Sequence, residues 1–202
     1  MKKILLFSIL SLLSFQLYSQ TKEDLLDLHD KLVNLGGREL SFTIIDTIQN
    51  KSKNDLYISA KSFFAEYFKS ANDVIQLDDK EAGIIGGKGI FTNEYPIGNA
   101  LIKTFITSTY RFYLKIQCRE GRYRAEMSNF TISSKTDALG SATGESPVSG
   151  LVERSYLEAL KNKTQIKAFY EMYEPVYSNA VSILNDLKLY MSNATASEND
   201  DW

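Results

Sequence analysis

Six basic side chains and one acid lie between Lys103 and Arg124: Lys103, Arg111, Lys115, Arg119, Arg122 and Arg124 against Glu120. Tyr110, Tyr113 and Tyr123 are interleaved with them. Cationic heads beside aromatic planes recognise anions, whether single-stranded nucleic acid or anionic glycans. The same pattern arises on the solvated side of a two-stranded ribbon, where long basic side chains cover apolar surface and discourage edge pairing. The chain as a whole carries a formal charge of −2, which disfavours nucleic acid as the partner. The side chains that would form a binding surface are Arg111, Tyr113, Lys115, Arg122 and Arg124.

The remaining reactive groups do not assemble into a known constellation. His29, the sole histidine, stands near Asp27 and Asp30 without a second imidazole or a thiolate at metal-ligand spacing. On a short acidic helix it is expected to be a solvated surface group. Cys118 is the only cysteine, so no intramolecular disulfide can form. It shares strand parity with Leu114 and Ile116 and reads as a small buried hydrophobe. A Cys–His nucleophile would need His29, on a helix outside the sheet, to come within hydrogen-bond reach.

Gly83-Ile84-Ile85-Gly86-Gly87-Lys88-Gly89 departs from a phosphate-binding loop. Residue 82 is alanine, glycine follows Lys88, and no helix N-terminus comes next. In a strand such glycines permit bulging, twist or close approach of a covering element. Gly144-Glu145-Ser146-Pro147-Val148 misses the nucleophile elbow at its second glycine and lies in a polar loop. Asp78, Asp79 and Glu81 cluster oxygens without a calcium-loop pattern and read as a solvated turn. No catalytic, metal or cofactor-binding residue is assigned.

The elements that must carry these residues follow from periodicity. Thr21–Gly37 reads as a leading helix, with a Thr21/Asp24 capping pair, a stripe of Leu25, Leu28, Leu32 and Leu35, and a Gly36-Gly37 stop. Ser41–Ile48 reads as a strand. A helix opens at Ser52, capped with Asp55, and Leu56, Ala60, Phe63, Phe64 and Tyr67 give it one apolar aromatic face. Val74–Leu77 and Gly83–Phe91 form hairpin arms joined through Asp78–Glu81.

Ile106–Cys118 is the longest strand, with Ile106, Tyr110, Phe112, Leu114, Ile116 and Cys118 on one parity and polar residues on the other. Glu120-Gly121 turns the chain, and Tyr123–Ile132 returns beside it. Ser133–Gly150 is expected to be a flexible connection. Leu151–Ser192 is expected to be helical, with Pro175 kinking or dividing it. Its apolar stripe is Ile166, Phe169, Tyr170, Tyr173, Tyr177, Ala180, Ile183 and Leu187.

One apolar and one polar strand face make an antiparallel sheet covered on one side. The fold class is α+β. With those elements in place, the middle of the chain resembles a bacterial domain of unknown function with a TATA-binding-protein-like (TBP-like) fold, found in exported proteins. The likeness rests on Ser52-Lys53-Asn54-Asp55-Leu56-Tyr57, Asp79-Lys80-Glu81-Ala82-Gly83, Gly86-Gly87-Lys88-Gly89 and Glu120-Gly121-Arg122-Tyr123-Arg124. It implies a β-α-β-β-β-β-α layout, a curved antiparallel sheet with helices on one face. It brings no activity, substrate or catalytic residue with it.

Lys2 and Lys3, the apolar run Ile4–Leu13 and Leu17-Tyr18-Ser19 read as a secretory signal peptide cut after Ser19. The run is shorter than the roughly 20 residues of a membrane span. The expected organisation is a signal peptide at 1–19, a leading helix at 20–37, one α+β domain at 38–192 and a disordered acidic tail at 193–202. Within the domain, the TBP-like core spans 41–132, the flexible loop 133–150 and the helical segment 151–192. The expected address is the periplasm or the exterior, without a membrane span after cleavage. The leading functional expectation is a non-enzymatic binding module of the cell envelope, with an envelope protein, a peptide or an anionic glycan as partner. A carboxylate-based hydrolase or isomerase and a structural subunit of an envelope assembly are the alternatives.

Overall fold

The computed structural model describes residues 21–33, 40–68, 74–98, 103–136 and 144–193. The elements are α1 (Lys22–Val33), β1 (Phe42–Thr47), α2 (Lys53–Tyr67), β2 (Ile75–Asp79), β3 (Ile84–Gly98) and β4 (Lys103–Arg119), followed by β5 (Arg122–Thr136), β6 (Ser146–Pro147), α3 (Val148–Ala159) and α4 (Lys163–Asn193). The expected signal peptide at 1–19, Leu35, Gly36-Gly37 and the tail beyond Asn193 lie outside the described residues. No helix among the described residues is long and apolar enough to cross a membrane.

The strands form one antiparallel sheet in the order β1-β5-β4-β3-β2, with β6 added to β5. Its fold is α+β, with the one covered face that the strand parities imply. On β4, Tyr110, Phe112, Leu114, Ile116 and Cys118 are buried, together with Phe42 on β1, Ile85 on β3 and Tyr123, Ala125 and Met127 on β5. These residues make the face that the helices cover.

Asn129, in the left-handed conformation at φ 54°, sits where β5 gains a residue over β4 between the Arg111 and Tyr113 pairings. This bulge restores Phe130 and Ile132 to the covered face.

Helix α2 begins where its sequence directs. The Ser52 side chain accepts from the Asp55 amide while the Asp55 carboxylate takes the Ser52 amide, a reciprocal capping box. Leu56, Tyr57, Ala60, Phe63 and Phe64 are buried, Phe64 against Gly87 of the sheet and Phe63 edge-on to Tyr190 of α4. Burying one such phenylalanine contributes roughly 1.5–3 kcal/mol. Tyr67, expected on that face, is 39% exposed at the helix end, where its hydroxyl donates to Asp186 at 3.3 Å.

The C-terminal helical region divides at residues 160–162, not at Pro175, which lies inside an unbroken α4. Proline removes one helical N–H and leaves carbonyls of the preceding turn without their donor. Here the sheet supplies replacements. Asn93 Nδ2 donates to the Glu171 carbonyl at 3.1 Å, and the Tyr110 hydroxyl donates to the Met172 carbonyl at 2.6 Å.

Of the expected connection 133–150, residues 137–143 lie outside the described residues, and the parts on either side of them hold regular structure. Strand β5 runs to Thr136, β6 pairs with Thr131 and Ile132, and α3 starts at Val148. Leu25, Leu28 and Leu32 of α1 are buried against α3 and α4.

Candidate binding face

The second face of the sheet carries no helix among the described residues. Strand alternation places Arg111, Tyr113, Lys115, Gln117 and Arg119 of β4 there, with Arg122 and Arg124 of β5 beside them. Thr43, Ile45 and Thr47 of β1 and Lys88 and Ile90 of β3 complete the surface. Ile45 is 70% and Ile90 64% exposed, each directly opposite an arginine, Arg124 and Arg111 respectively. Thr107, Thr109, Ser128, Thr131 and Ser133 add hydroxyls between the charges.

Tyr113 lies along the sheet over Gly86, where an added Cβ would come within 2.4 Å of its hydroxyl oxygen. The glycine is thus the floor under the only tyrosine of the basic stretch on this face. Tyr110 and Tyr123, interleaved with the cations only in sequence, face the other way, Tyr110 as its strand parity required. They share parity with the apolar residues and are buried beneath the helices. Burial pushes both hydroxyls well above the usual phenol range.

The basic side chains differ in how far they are neutralised. Arg111 donates to Ser133 Oγ at 3.3 Å and lies 3.6 Å from the Glu145 carboxylate. Arg124 pairs with Glu126 at 2.9 Å, and Glu126 also stands opposite Lys115 in the register. Arg119 and Arg122 are exposed and face each other across the turn, with no acidic partner among the described residues.

Glu120, the one acid of the stretch, is directed elsewhere: its carboxylate accepts the Lys53 amide at the start of α2, at 3.1 Å. A depression of about 270 Å³ is lined by Ile45, Gln117, Arg119, Arg122, Tyr123 and Arg124. Arg119 therefore joins the expected set, a place legible from its position across a two-residue turn from Arg122.

Other candidate chemistry resolves into structure. His29 is not a solvated surface group. Its side chain is 12% exposed, its ring stacks on Tyr156 at 3.7 Å, and Nε2 meets Glu153 at 3.1 Å. The reason is that α3 packs over the face of α1 that carries it. Cys118 is buried on the sheet, and desolvation pushes its thiol up to about 12. It is therefore a protonated core group at neutral pH.

Asp78 accepts from the Tyr57 hydroxyl and from Lys61 Nζ, Asp79 caps the Ala82 amide at 2.8 Å, and Glu81 is exposed. Asp78 and Asp79 are engaged separately and Glu81 is exposed, so the three do not form a paired acid and base. No group of three or more metal-binding side chains occurs among the described residues.

Residues 42–133 match the profile of a domain of unknown function (DUF4468) with TBP-like fold. Two solved structures are similar across most of the chain. One is a DUF4468 family protein from Bacteroides ovatus, with a TM-score of 0.59, 14% identity, and coverage of 80% of this chain and 93% of that one. The other is a TBP-like protein from Parabacteroides distasonis, with a TM-score of 0.51, 15% identity, and coverage of 78% and 96%. At such identities the likeness is one of fold. No curated protein matches the chain.

Proposed function

We propose, proceeding from this TBP-like domain of unknown function, that the protein is a non-enzymatic binding module of the cell envelope whose uncovered sheet face holds an anionic glycan. The observation that carries the reading is the segregation of β4 and β5 into an apolar face under the helices and a face of cations, hydroxyls and one laid-down tyrosine. Hydroxyl-rich surfaces with an aromatic plane suit sugar rings, and the cations suit their acidic substituents. The leader at Met1–Ser19 supports export, which would bring the face among envelope polymers. The separate engagements of Asp78, with Tyr57 and Lys61, and of Asp79, with the Ala82 amide, weigh against a carboxylate enzyme built on this cluster.

The test is binding to an acidic polysaccharide by calorimetry across a salt series, for the wild type and for Arg111→Glu with Lys115→Glu. Affinity should fall steeply with salt, since exposed charges are screened over about 8 Å at physiological ionic strength. The double variant should lose binding while keeping its fold, because the like charges it sets beside Glu145 and Glu126 cost only about 1 kcal/mol each. Binding that ignores salt, or a double variant that binds unchanged, would overturn the reading.

A further inference from the structure

We infer that Arg119 and Arg122 form an anchoring subsite for a tetrahedral oxyanion group, a phosphate or sulfate substituent, at the turn end of the sheet. The inference rests on the anionic-glycan reading and names the group that the face would grip.

Four observations converge on this place. Arg119 and Arg122 are register partners across the Glu120-Gly121 turn, two like charges directly opposite each other. Such a pair is unfavourable unless something intervenes. Both side chains are exposed, and neither has an acidic partner among the described residues. The turn's own acid, Glu120, is held at 3.1 Å by the Lys53 amide at the first turn of α2, so it is committed to the helix. Two adjoining surface depressions share the arginine pair. One is walled by Ile45, Gln117, Tyr123 and Arg124, the other by Thr47, Gln49, Asn50 and the Glu120-Gly121 turn, where the Glu120 carboxylate is occupied by the Lys53 amide.

Guanidinium groups bind phosphate and sulfate through paired, charge-assisted hydrogen bonds, which a dianion between two of them accepts from both sides. Gln117 and Thr47 line the walls with further side-chain donors. The site therefore combines uncancelled charge, directional donors and a recess; Arg111 and Arg124 lack the first of these because each has a carboxylate neighbour.

The experiment compares inorganic phosphate with chloride at matched ionic strength, following the melting temperature and the calorimetric affinity. Phosphate should raise the melting temperature of the wild type above its value in chloride. In Arg119→Gln with Arg122→Gln that increment should vanish, and phosphate affinity should fall by about tenfold or more. In chloride the same variant should melt at or above the wild type, because the opposed charges are gone. This last readout shows that the fold survives. Arg111→Gln with Lys115→Gln should keep the phosphate effect.

A wild type indifferent to phosphate, or an increment retained by the Arg119/Arg122 variant, overturns the subsite. A second arm with a sulfated oligosaccharide and its uncharged counterpart separates the two readings. If phosphate is bound but neither oligosaccharide is, the glycan reading fails and the oxyanion site stands. If the sulfated chain binds equally well to the Arg119/Arg122 variant, the subsite fails and the glycan reading stands.

Discussion

Gly86 and Gly89 act as recesses for aromatic rings on opposite faces of one strand, Tyr113 above and Phe112 below. At Gly89 an added Cβ would come within 2.2 Å of the Phe112 ring. That ring is 2% exposed and wedged among Phe68, Phe91 and Phe130, so it has nowhere to retreat. Gly89→Ala is expected to cost about 1–3 kcal/mol in denaturant unfolding, the range for an overfilled core. Adding Phe112→Leu should recover part of the loss, and a variant as stable as the wild type would refute the contact. The sequence showed glycines in a strand and therefore close approach; it did not show which rings, since Phe64 of α2 and Val74 crowd Gly87 from a different element.

Cys118 makes a pH prediction at the same scale. Its thiol rises to about 12 in the fold from an ordinary value of 9.0 through desolvation. A group whose folded value is raised gives its full stability below the unfolded value and loses it as pH climbs through the folded one. Tyr110 and Tyr123 shift in the same direction for the same cause. Stability should therefore be flat near neutrality and decline above about pH 9. Cys118→Ala should flatten that decline, and equal slopes for the two proteins in urea unfolding between pH 8 and 11 would contradict it.

Helix α4 shows how an element escapes its own local signal. Pro175 predicts a break, yet the helix continues because Asn93 and Tyr110, 78 and 62 residues from their partners in sequence, take over the carbonyls of Glu171 and Met172. Nothing near Pro175 could reveal that, whereas the α2 start was readable because Ser52 and Asp55 complete each other within one turn. Asn93→Ala should cost about 1 kcal/mol, the net worth of one hydrogen bond. In Pro175→Ala the helix regains its own N–H donor for the Glu171 carbonyl, so the Asn93 substitution should then cost measurably less. A double-mutant cycle reads the difference, and strict additivity would show that the sheet contact does not serve the proline. His29 was misjudged for the same reason: its partners Glu153 and Tyr156 lie on α3, far along the chain.

At the scale of the whole molecule, the helices form a layer over one side of the sheet while the cations spread over the other. The one-sided cover was legible from the alternation of β4 alone, since only a half-buried sheet needs such segregation. The place of α1 was not, because its apolar stripe meets α3 and α4, and the sequence gives no register between helices. Leu28 is 4% exposed in that contact, between the fully covered Leu25 and Leu32 at 2%, and His29 is stacked beside it.

Leu28→Ala should therefore cost about 2–5 kcal/mol, a large share of the 5–15 kcal/mol that holds a domain. If α1 shares one cooperative unit with the sheet, that loss should appear in every probe. Amide exchange should accelerate not only in α1 but also in the buried strands β4 and β5, and the melting transition should stay single. If α1 is instead a lead-in resting on the helical layer, the substitution would loosen α1 with its neighbour α3 and leave the protection of β4 and β5 at its wild-type level. Helix α3 should follow α1 in either case, because His29 and Tyr156 stack across their interface. The exchange rates at Leu114 and Ala125, on neighbouring strands under the helices, decide between the two arrangements.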